Sequence, residues 1–435
     1  MPNASDLDIA VYSKDFEFLQ PITNPLDTTE LIPKFNAKGT ATLVVPPDAA
    51  VNEYLQLDGA RIVARYCGEH LMSGMVRSDG GSLTPNGELS YVVDDDYRIL
   101  DGALAWVAPG RPLTPAALAD LGQAWQTGPA GTVGTTTGQS GHFVWPDGVD
   151  SAEAMIKHLA QANLVTRLGR PVTILPNLDR GGDARAALMS TLTPRFGKLS
   201  EELAPILEWS GLGLRVWQEE RGDGLLLDVF EPDTWPSELD YLSGSLVGGD
   251  YERHRPTATR VIAAGPGEGP DRAFLSLVDT DLEDQYGDVI EEFVDATGAT
   301  LEWPESLSDA FRVAKYFTLR GEVGSELKSR FLSYLEAAAK KKLDELRATA
   351  TVSAQLAETP AFTMYGENGL RPGDLVPIAT PAGPIVERIS SATLALSNGL
   401  TVTPTLGTMT GDEDEAIWEA IAAIASGFRR LSRSV

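Results

Sequence analysis

The chain has 435 residues, 43% of them apolar, enough for roughly two to four domains with cores of their own. Glycine (42) and proline (28) punctuate it heavily, which favours short strands and turns over long bundles. Asp and Glu outnumber Lys and Arg by 62 to 35, a formal charge of -27 that repels nucleic-acid phosphates and anionic membranes; with no stripe of Lys and Arg, sequence-specific nucleic-acid binding is not expected.

Residues 1–145 are expected to form an N-terminal β-barrel domain. Asp8 to Tyr12, Ala41 to Val45, Arg61 to Cys67, Leu71 to Arg77 and Glu88 to Val93 are short and rich in β-branched or aromatic residues. Pro46-Pro47, Gly80-Gly81 and Asn86-Gly87 punctuate them, and Gly68-Glu69-His70 reads as a hairpin connection. Residues 109–148 read as a flexible loop, because Thr132 to Gly141 is nearly all Thr, Gly, Ser and Gln. A helical and mixed connecting domain is expected over 146–211. Ser151 is a good N-cap, Met155, Ile156, Leu159, Ala162 and Leu164 line one face, and a second helix covers Ser200 to Trp209.

Leu214 to Gln218 and Leu225 to Phe230 flank the turn Arg221-Gly222-Asp223-Gly224, and Thr259 to Ala264 is another strand. The Arg-Gly-Asp triplet is read as a plain hairpin turn. Residues 265–347 are expected to be an acidic and helical insertion: irregular from 265 to 305 except for a helix at Asp288 to Asp295, then a helix from Ser325 to Arg347. Strands return at Ala350 to Glu358, Leu375 to Ile378, Pro384 to Leu396 and Leu400 to Leu406, with Asn398-Gly399 as a hairpin turn. Residues 212–264 and 348–410 would together make a second barrel. In 411–435 a C-terminal helix sets Ile417, Ile421, Ile424, Phe428 and Leu431 on one seam, to pack on the protein's own body or on a partner.

The one cysteine, Cys67, excludes an intramolecular disulfide and reads as a buried, inert thiol at a strand end. Asp6 and Asp8 stand where a signal peptide would be apolar, and no run of about 18 apolar residues predicts a membrane span. His70, His142, His158 and His254 fall in no zinc-binding spacing, and His158 reads as a half-exposed helix position. Gly138-Gln139-Ser140-Gly141-His142 lacks the second glycine of a nucleophile elbow. The run Asp279 to Asp284 begins like a calcium loop, but Asp284 replaces the required glycine and Ile290 the closing Glu. Asp94-Asp95-Asp96 reads as a charged turn, and Gly265 to Pro270 has prolines that oppose a phosphate cradle. No residue is therefore assigned as catalytic, cofactor-binding or metal-ligating, and no cofactor is expected.

The stretch Leu370-Arg371-Pro372-Gly373-Asp374-Leu375-Val376-Pro377-Ile378, then Gly383-Pro384-Ile385-Val386-Glu387-Arg388-Ile389, then the turn Asn398-Gly399 and Leu400 to Gly407, resembles the last barrel of phage tail hub proteins. The opening Val11-Tyr12-Ser13-Lys14-Asp15-Phe16 is similar to that of siphovirus minor tail proteins from hosts of the mycobacterial group. So is the order barrel, helix, hairpin, acidic insertion, long helix, barrel. The resemblance implies an α+β, β-rich fold class: two small hub-type β-barrels with helical insertions and a C-terminal helix. It implies a non-enzymatic virion structural protein of the tail tip or baseplate hub, folded and assembled in the host bacterial cytoplasm. Three copies would form a homotrimer adapting a hexameric tail tube to a threefold tip. Its partners would be a distal tail protein, a tape-measure protein and other minor tail or receptor-binding proteins, with DNA passing through the channel. Some relatives of this kind carry an added peptidase or lysozyme domain; none follows the second predicted barrel before Val435. The alternatives are a receptor- or carbohydrate-binding peripheral tail protein and a cell-wall hydrolase. The first would need an exposed aromatic platform, the second a concave carboxylate pair with one perturbed pKa.

Overall fold

The computed structural model describes residues 6–407 except 24–28, 82–87, 108–125, 129–130, 134–142, 144, 189–191, 193, 220–221, 243, 266–273, 297–334, 337, 347–348, 360–361, 367–368, 382 and 397–398. The chain makes two compact units and crosses between them repeatedly. One comprises residues 1–96, 232–252 and 351–435, the other 97–231 and 253–350.

The first unit is built on one large sheet. Its N-terminal strands are β1 (Leu7–Tyr12), β2 (Phe18–Pro21), β3 (Glu30–Ile32), β4 (Thr40–Val45), β5 (Arg61–Tyr66), β6 (Glu69–Gly81) and β7 (Leu89–Asp95), with a short helix α1 (Asn52–Leu55). Its later strands are β13 (Leu246–His254), β17 (Thr349–Leu356), β18 (Leu375–Ile378), β19 (Ile385–Leu396) and β20 (Leu400–Leu406). The order is β13-β17-β20-β19-β3-β4-β7-β6-β5-β1-β2, with β18 branching from β19, twelve strands in all.

Local chemistry explains the individual strands. In β5–β6 the two-residue connection places Cys67 at φ 53 and Gly68 at φ 79. Two positive φ values are those of a type I′ turn, whose twist suits a hairpin. In β19, Ile385, Glu387 and Ile389 face the interior, but after the bulge at Ser390 the buried positions become Ala392, Leu394 and Leu396. One extra residue shifts the period-2 alternation to the other parity, which keeps apolar side chains inward on both sides of the bend. The core includes Val11, Leu31, Leu43, Ile62, Tyr91, Val93 and Leu394, all essentially inaccessible to solvent. The buried Tyr91 hydroxyl donates to Asn52 Oδ1 at 2.9 Å, so its polar tip is satisfied.

The N- and C-terminal strand sets meet at β3, where Leu31 opposes Leu394 and Glu30 opposes Ala395. Leu31 is fully buried, so Leu31→Ala should cost about 2–5 kcal/mol through lost burial and the cavity left behind. Thermal melting against Val386→Ala, at a position more than half exposed, checks this; equal melting temperatures would remove β3 as the sheet's seam.

The second unit holds a helical layer, two three-stranded sheets and a two-stranded ribbon among its described residues. Its helices are α2 (Arg98–Asp101), α3 (Ala152–Ala160), α4 (Ala184–Leu188), α5 (Leu199–Ser210) and α6 (Thr280–Tyr286). As expected, the Ser151 side chain caps α3, accepting from the Ala154 amide at 3.2 Å, and Met155, Ile156, Leu159 and Leu164 are fully buried. The helix continues over Gln161–Arg167 as a π-helix. Gly211, at φ 69, ends α5 in the left-handed conformation that glycine adopts without strain. Strands β10 (Val172–Ile174), β12 (Leu225–Phe230) and β11 (Gly213–Gln218) form one sheet in that order. Strands β15 (Phe274–Val278), β14 (Arg260–Ala264) and β16 (Glu291–Asp295) form another, packed on Leu335, Ala339 and Leu343 of the last helical segment.

The β-rich character expected from sequence holds, but several expectations change. The β11–β12 hairpin and β14 do not join the 350–406 strands; they belong to the two small sheets of the second unit, and no closed barrel is found among the described pairings. The helix expected at Asp288 to Asp295 is instead the strand β16, because Gly287 ends α6 at φ 67 and parallel pairing with β14 outweighs helix propensity. The "irregular" run before it contains β15 and α6. Within the predicted loop, β8 (Gln126–Gly128) and β9 (Gly131–Val133) pair as a ribbon; 134–142 lies outside the described residues. Of the helix predicted over Ser325 to Arg347, residues 335–336 and 338–346 are described and helical. The C-terminal helix predicted in 411–435 and Asn398 lie outside the described residues, although Leu396 does oppose Leu400 as the turn requires. No described helix is long and apolar enough to cross a membrane.

Candidate functional site

Four groups of buried or half-buried charges stand where chemistry could occur, and each is tied to backbone or to a counter-ion. In the first unit, Arg61 on β5 and Asp96 after β7 are almost wholly buried. One guanidinium nitrogen lies 2.6 Å from both carboxylate oxygens, and the Ser73 hydroxyl donates to Asp96 at 2.7 Å. The Phe16 ring covers the guanidinium at 4.7 Å. The run Asp94 to Asp96 is therefore not the charged turn expected. Asp94 and Asp95 close β7, with Asp94 meeting Lys38 and Arg77 near the surface, while Asp96 lies one residue past the strand end, where the chain turns and aims its carboxylate inward.

Also in the first unit, Asp374 accepts from the amides of Asp233 (2.8 Å) and Arg371 (2.7 Å). Burial raises its pKa against the pull of those two amides. Arg371 reaches Glu69 at 2.8 Å, and Tyr66 meets Tyr365 edge to face with ring centres 5.8 Å apart. Burial pushes both phenols well above the usual range. On β19, Glu387 accepts from the Val352 amide at 3.2 Å and is likewise raised by burial, as is Glu358, which accepts from Met364 at 2.8 Å.

In the second unit the centre is Glu153 in the first turn of α3, with no exposed surface. It accepts from Lys157 at 2.7 Å and from Arg180 at 2.9 and 3.0 Å. Lys157 also donates to Asp228 on β12 at 2.9 Å and to the Pro176 carbonyl at 2.8 Å. The cluster thus bolts α3 to the 176–180 segment and to the small sheet. Burial alone would raise the Glu153 pKa, but the Arg180 and Lys157 hydrogen bonds outweigh it and hold it at about 2. A carboxyl so acidic stays ionised at neutrality and has no proton to give to a leaving group. In the acidic region, Arg260 grips Glu283 with bonds of 2.8 and 2.9 Å, joining β14 to α6.

The motifs singled out from sequence do not converge. Asp279 is the N-cap of α6, accepting from Leu282 at 3.1 Å, so the calcium-like run is the start of a helix. Among the described residues, no group of three or more His, Cys, Asp or Glu is arranged to hold a metal ion. His158 is partly buried beside Phe143 and Trp145, and burial lowers its pKa. Cys67 is exposed rather than buried, since it sits at the tip of the β5–β6 turn. His142, Ser140, Pro266 to Pro270 and Arg221 of the Arg-Gly-Asp triplet lie outside the described residues; the hairpin that flanks the triplet closes at Gln218 and Leu225. Sequence reading missed the Arg61–Asp96 and Glu153–Lys157–Arg180 groups. The one local signal was the spacing of four between Glu153 and Lys157 on a helix.

The fold is similar to that of a prophage tail protein, gp18, from Listeria monocytogenes EGD-e. That likeness has a TM-score of 0.50 and 10% identity, over 96% of this chain and 99% of that one. At lower TM-scores of 0.44 it is also similar to the prophage MuSo2 43 kDa tail protein from Shewanella oneidensis (12% identity, 92% and 98% covered) and to a tail protein from Neisseria meningitidis MC58 (14%, 93% and 97%). Comparison with curated proteins gives no significant match. The model of the siphovirus ReqiPepy6 Gp37-like protein family matches residues 8–408, nearly the whole described span, and the chain belongs to that family.

Proposed function

We propose that this chain is a structural subunit of the phage tail tip, a hub that adapts the hexameric tail tube to a threefold tip. The observation that carries the reading is the composite sheet. One chain supplies two strand sets, β1 to β7 and β17 to β20 with β13, joined at β3 and β19. Three copies would offer six such sets, matching a sixfold ring above with a threefold object below. The charge of -27 suits the wall of a channel that DNA traverses without sticking. The buried carboxylates Glu153, Asp374 and Glu387 and the half-buried Glu358 support a mechanical role, because they accept from backbone amides and cations of the same chain. In this reading the homotrimer sits in the virion beneath a distal tail protein, with a tape-measure protein inside and receptor-binding proteins outside.

The test is the mass and symmetry of the purified chain, alone and with the neighbouring tail proteins, by light scattering and particle imaging. A threefold ring of three chain masses with an open axis is expected. A persistent monomer that never joins the tail proteins yet binds or cleaves cell-wall glycan would replace this reading with the receptor-binding or hydrolase one.

A further inference from the structure

The first unit presents a hydrophobic projection, at Tyr241 and Leu242, that its own fold does not use. Tyr241 is 74% and Leu242 93% exposed, the latter the most exposed large apolar side chain among the described residues. A leucine so placed gains nothing from the fold, since apolar surface stabilises only when removed from water. The segment is nonetheless held at both ends. On the incoming side Leu239 is buried, donating its amide to Pro377 at 2.8 Å and accepting from Ala379 at 3.0 Å. On the outgoing side Ser245 is buried, its hydroxyl 3.1 Å from that of Thr359 and its carbonyl accepting from Ala357 at 2.9 Å. Between them the Gly244 amide closes a turn onto the Tyr241 carbonyl at 3.3 Å, with Gly244 at φ 74. Tethers on both sides present the two side chains with little entropy left to lose on contact.

The turn leads directly into β13. That strand ends the sheet order, so among the described residues it is paired on one side only, to β17. Tyr251, on β13, is 44% exposed. An open edge of this length is a template for a further strand. Charge then selects the strand. Over the first unit's segment, residues 232 to 252, the sequence has five Asp and Glu and no Lys or Arg before Arg253 near the end of β13, with Glu238, Asp240 and Asp250 flanking the turn and the edge. An acidic or neutral strand would meet repulsion or nothing; a basic one would be steered in.

We propose that the β13 edge and the Tyr241–Leu242 turn together form a docking site for a basic extended segment of another protein, which adds to the sheet as a strand and covers Leu242 with an apolar side chain. Main-chain hydrogen bonds would supply affinity and the acidic flank would supply choice of partner. The site goes beyond the hub reading and does not depend on it, since a monomer would carry the same edge.

The test uses the full chain and two labelled 12-residue probes of the same alternating apolar pattern, one with Lys and one with Glu at the polar positions. Fluorescence anisotropy should show the Lys probe binding about 10-fold or more tighter than the Glu probe. Leu242→Ser, at a side chain outside the core, should weaken Lys-probe binding about 10-fold while leaving the melting temperature unchanged. Hydrogen exchange should slow on binding within residues 241–254. Equal binding by the Leu242→Ser variant, or protection confined to other segments, would overturn the proposal. So would light scattering that shows the chain alone self-associating through this turn and losing that association in Leu242→Ser.

Discussion

Arg61→Met is expected to destabilise the first unit by about 3–5 kcal/mol. The Arg61 side chain is 4% and the Asp96 side chain 0% exposed, so removing the cation leaves a carboxylate with no access to water and the Ser73 hydroxyl donating to it. Breaking a buried pair costs more than the pair contributes, because the surviving charge keeps its full desolvation penalty. The double variant Arg61→Met/Asp96→Leu should therefore recover a substantial part of the loss, since it removes the stranded charge as well. Urea unfolding of the wild type and the two variants reads this directly. A single variant within 1 kcal/mol of wild type would mean that water reaches Asp96.

Glu153→Gln should cost about 3 kcal/mol at neutral pH and should change the acid stability of the protein. It strips Lys157, itself nearly buried, of its closest carboxylate and leaves it with Asp228 and the Pro176 carbonyl. The folded pKa of Glu153, about 2, lies below its ordinary value of 4.5. Folding therefore gains from the ionised form, and this contribution is fully present above pH about 4.5 and lost as pH falls towards about 2. In the variant that part of the acid limb disappears, so wild-type and variant stabilities should converge over that window. Unfolding free energies measured from neutrality down to pH about 2 check the sign; curves that stay parallel would assign the acid limb to other groups.

The strands were largely legible because alternation is a local signal. β1, β4, β5, β7, β18 and β20 lie close to where β-branched and aromatic residues place them, and Ser151 and Gly211 mark helix ends by side-chain and backbone chemistry alone. What no local signal could show is partnership. The Leu214–Phe230 hairpin was visible, but only β10, forty residues upstream and parallel to β12, decides which sheet it joins. Asp96 looked like one member of an acidic run, and its burial depends on Arg61 on another strand. β16, with Glu291, Glu292 and Asp295, has too much charge to advertise a strand, and its pairing with β14 overrides that. Two of the buried carboxylates were illegible for the same reason: amides far along the chain donate to them, Asp233 to Asp374 and Val352 to Glu387.

The seam between Leu31 and Leu394 also has a temporal meaning. A ribosome releases residue 31 long before residue 394, so during synthesis β3 waits with one side unmated. Contacts this distant in sequence slow folding and prolong the life of adhesive intermediates. Nascent chains arrested before residue 385 would carry β1 to β7 with that side bare, and crowded polysomes would bring many such chains together. The cell making this protein has reason to shield the early strands, by chaperone occupancy or by slow translation, until the last hairpin emerges.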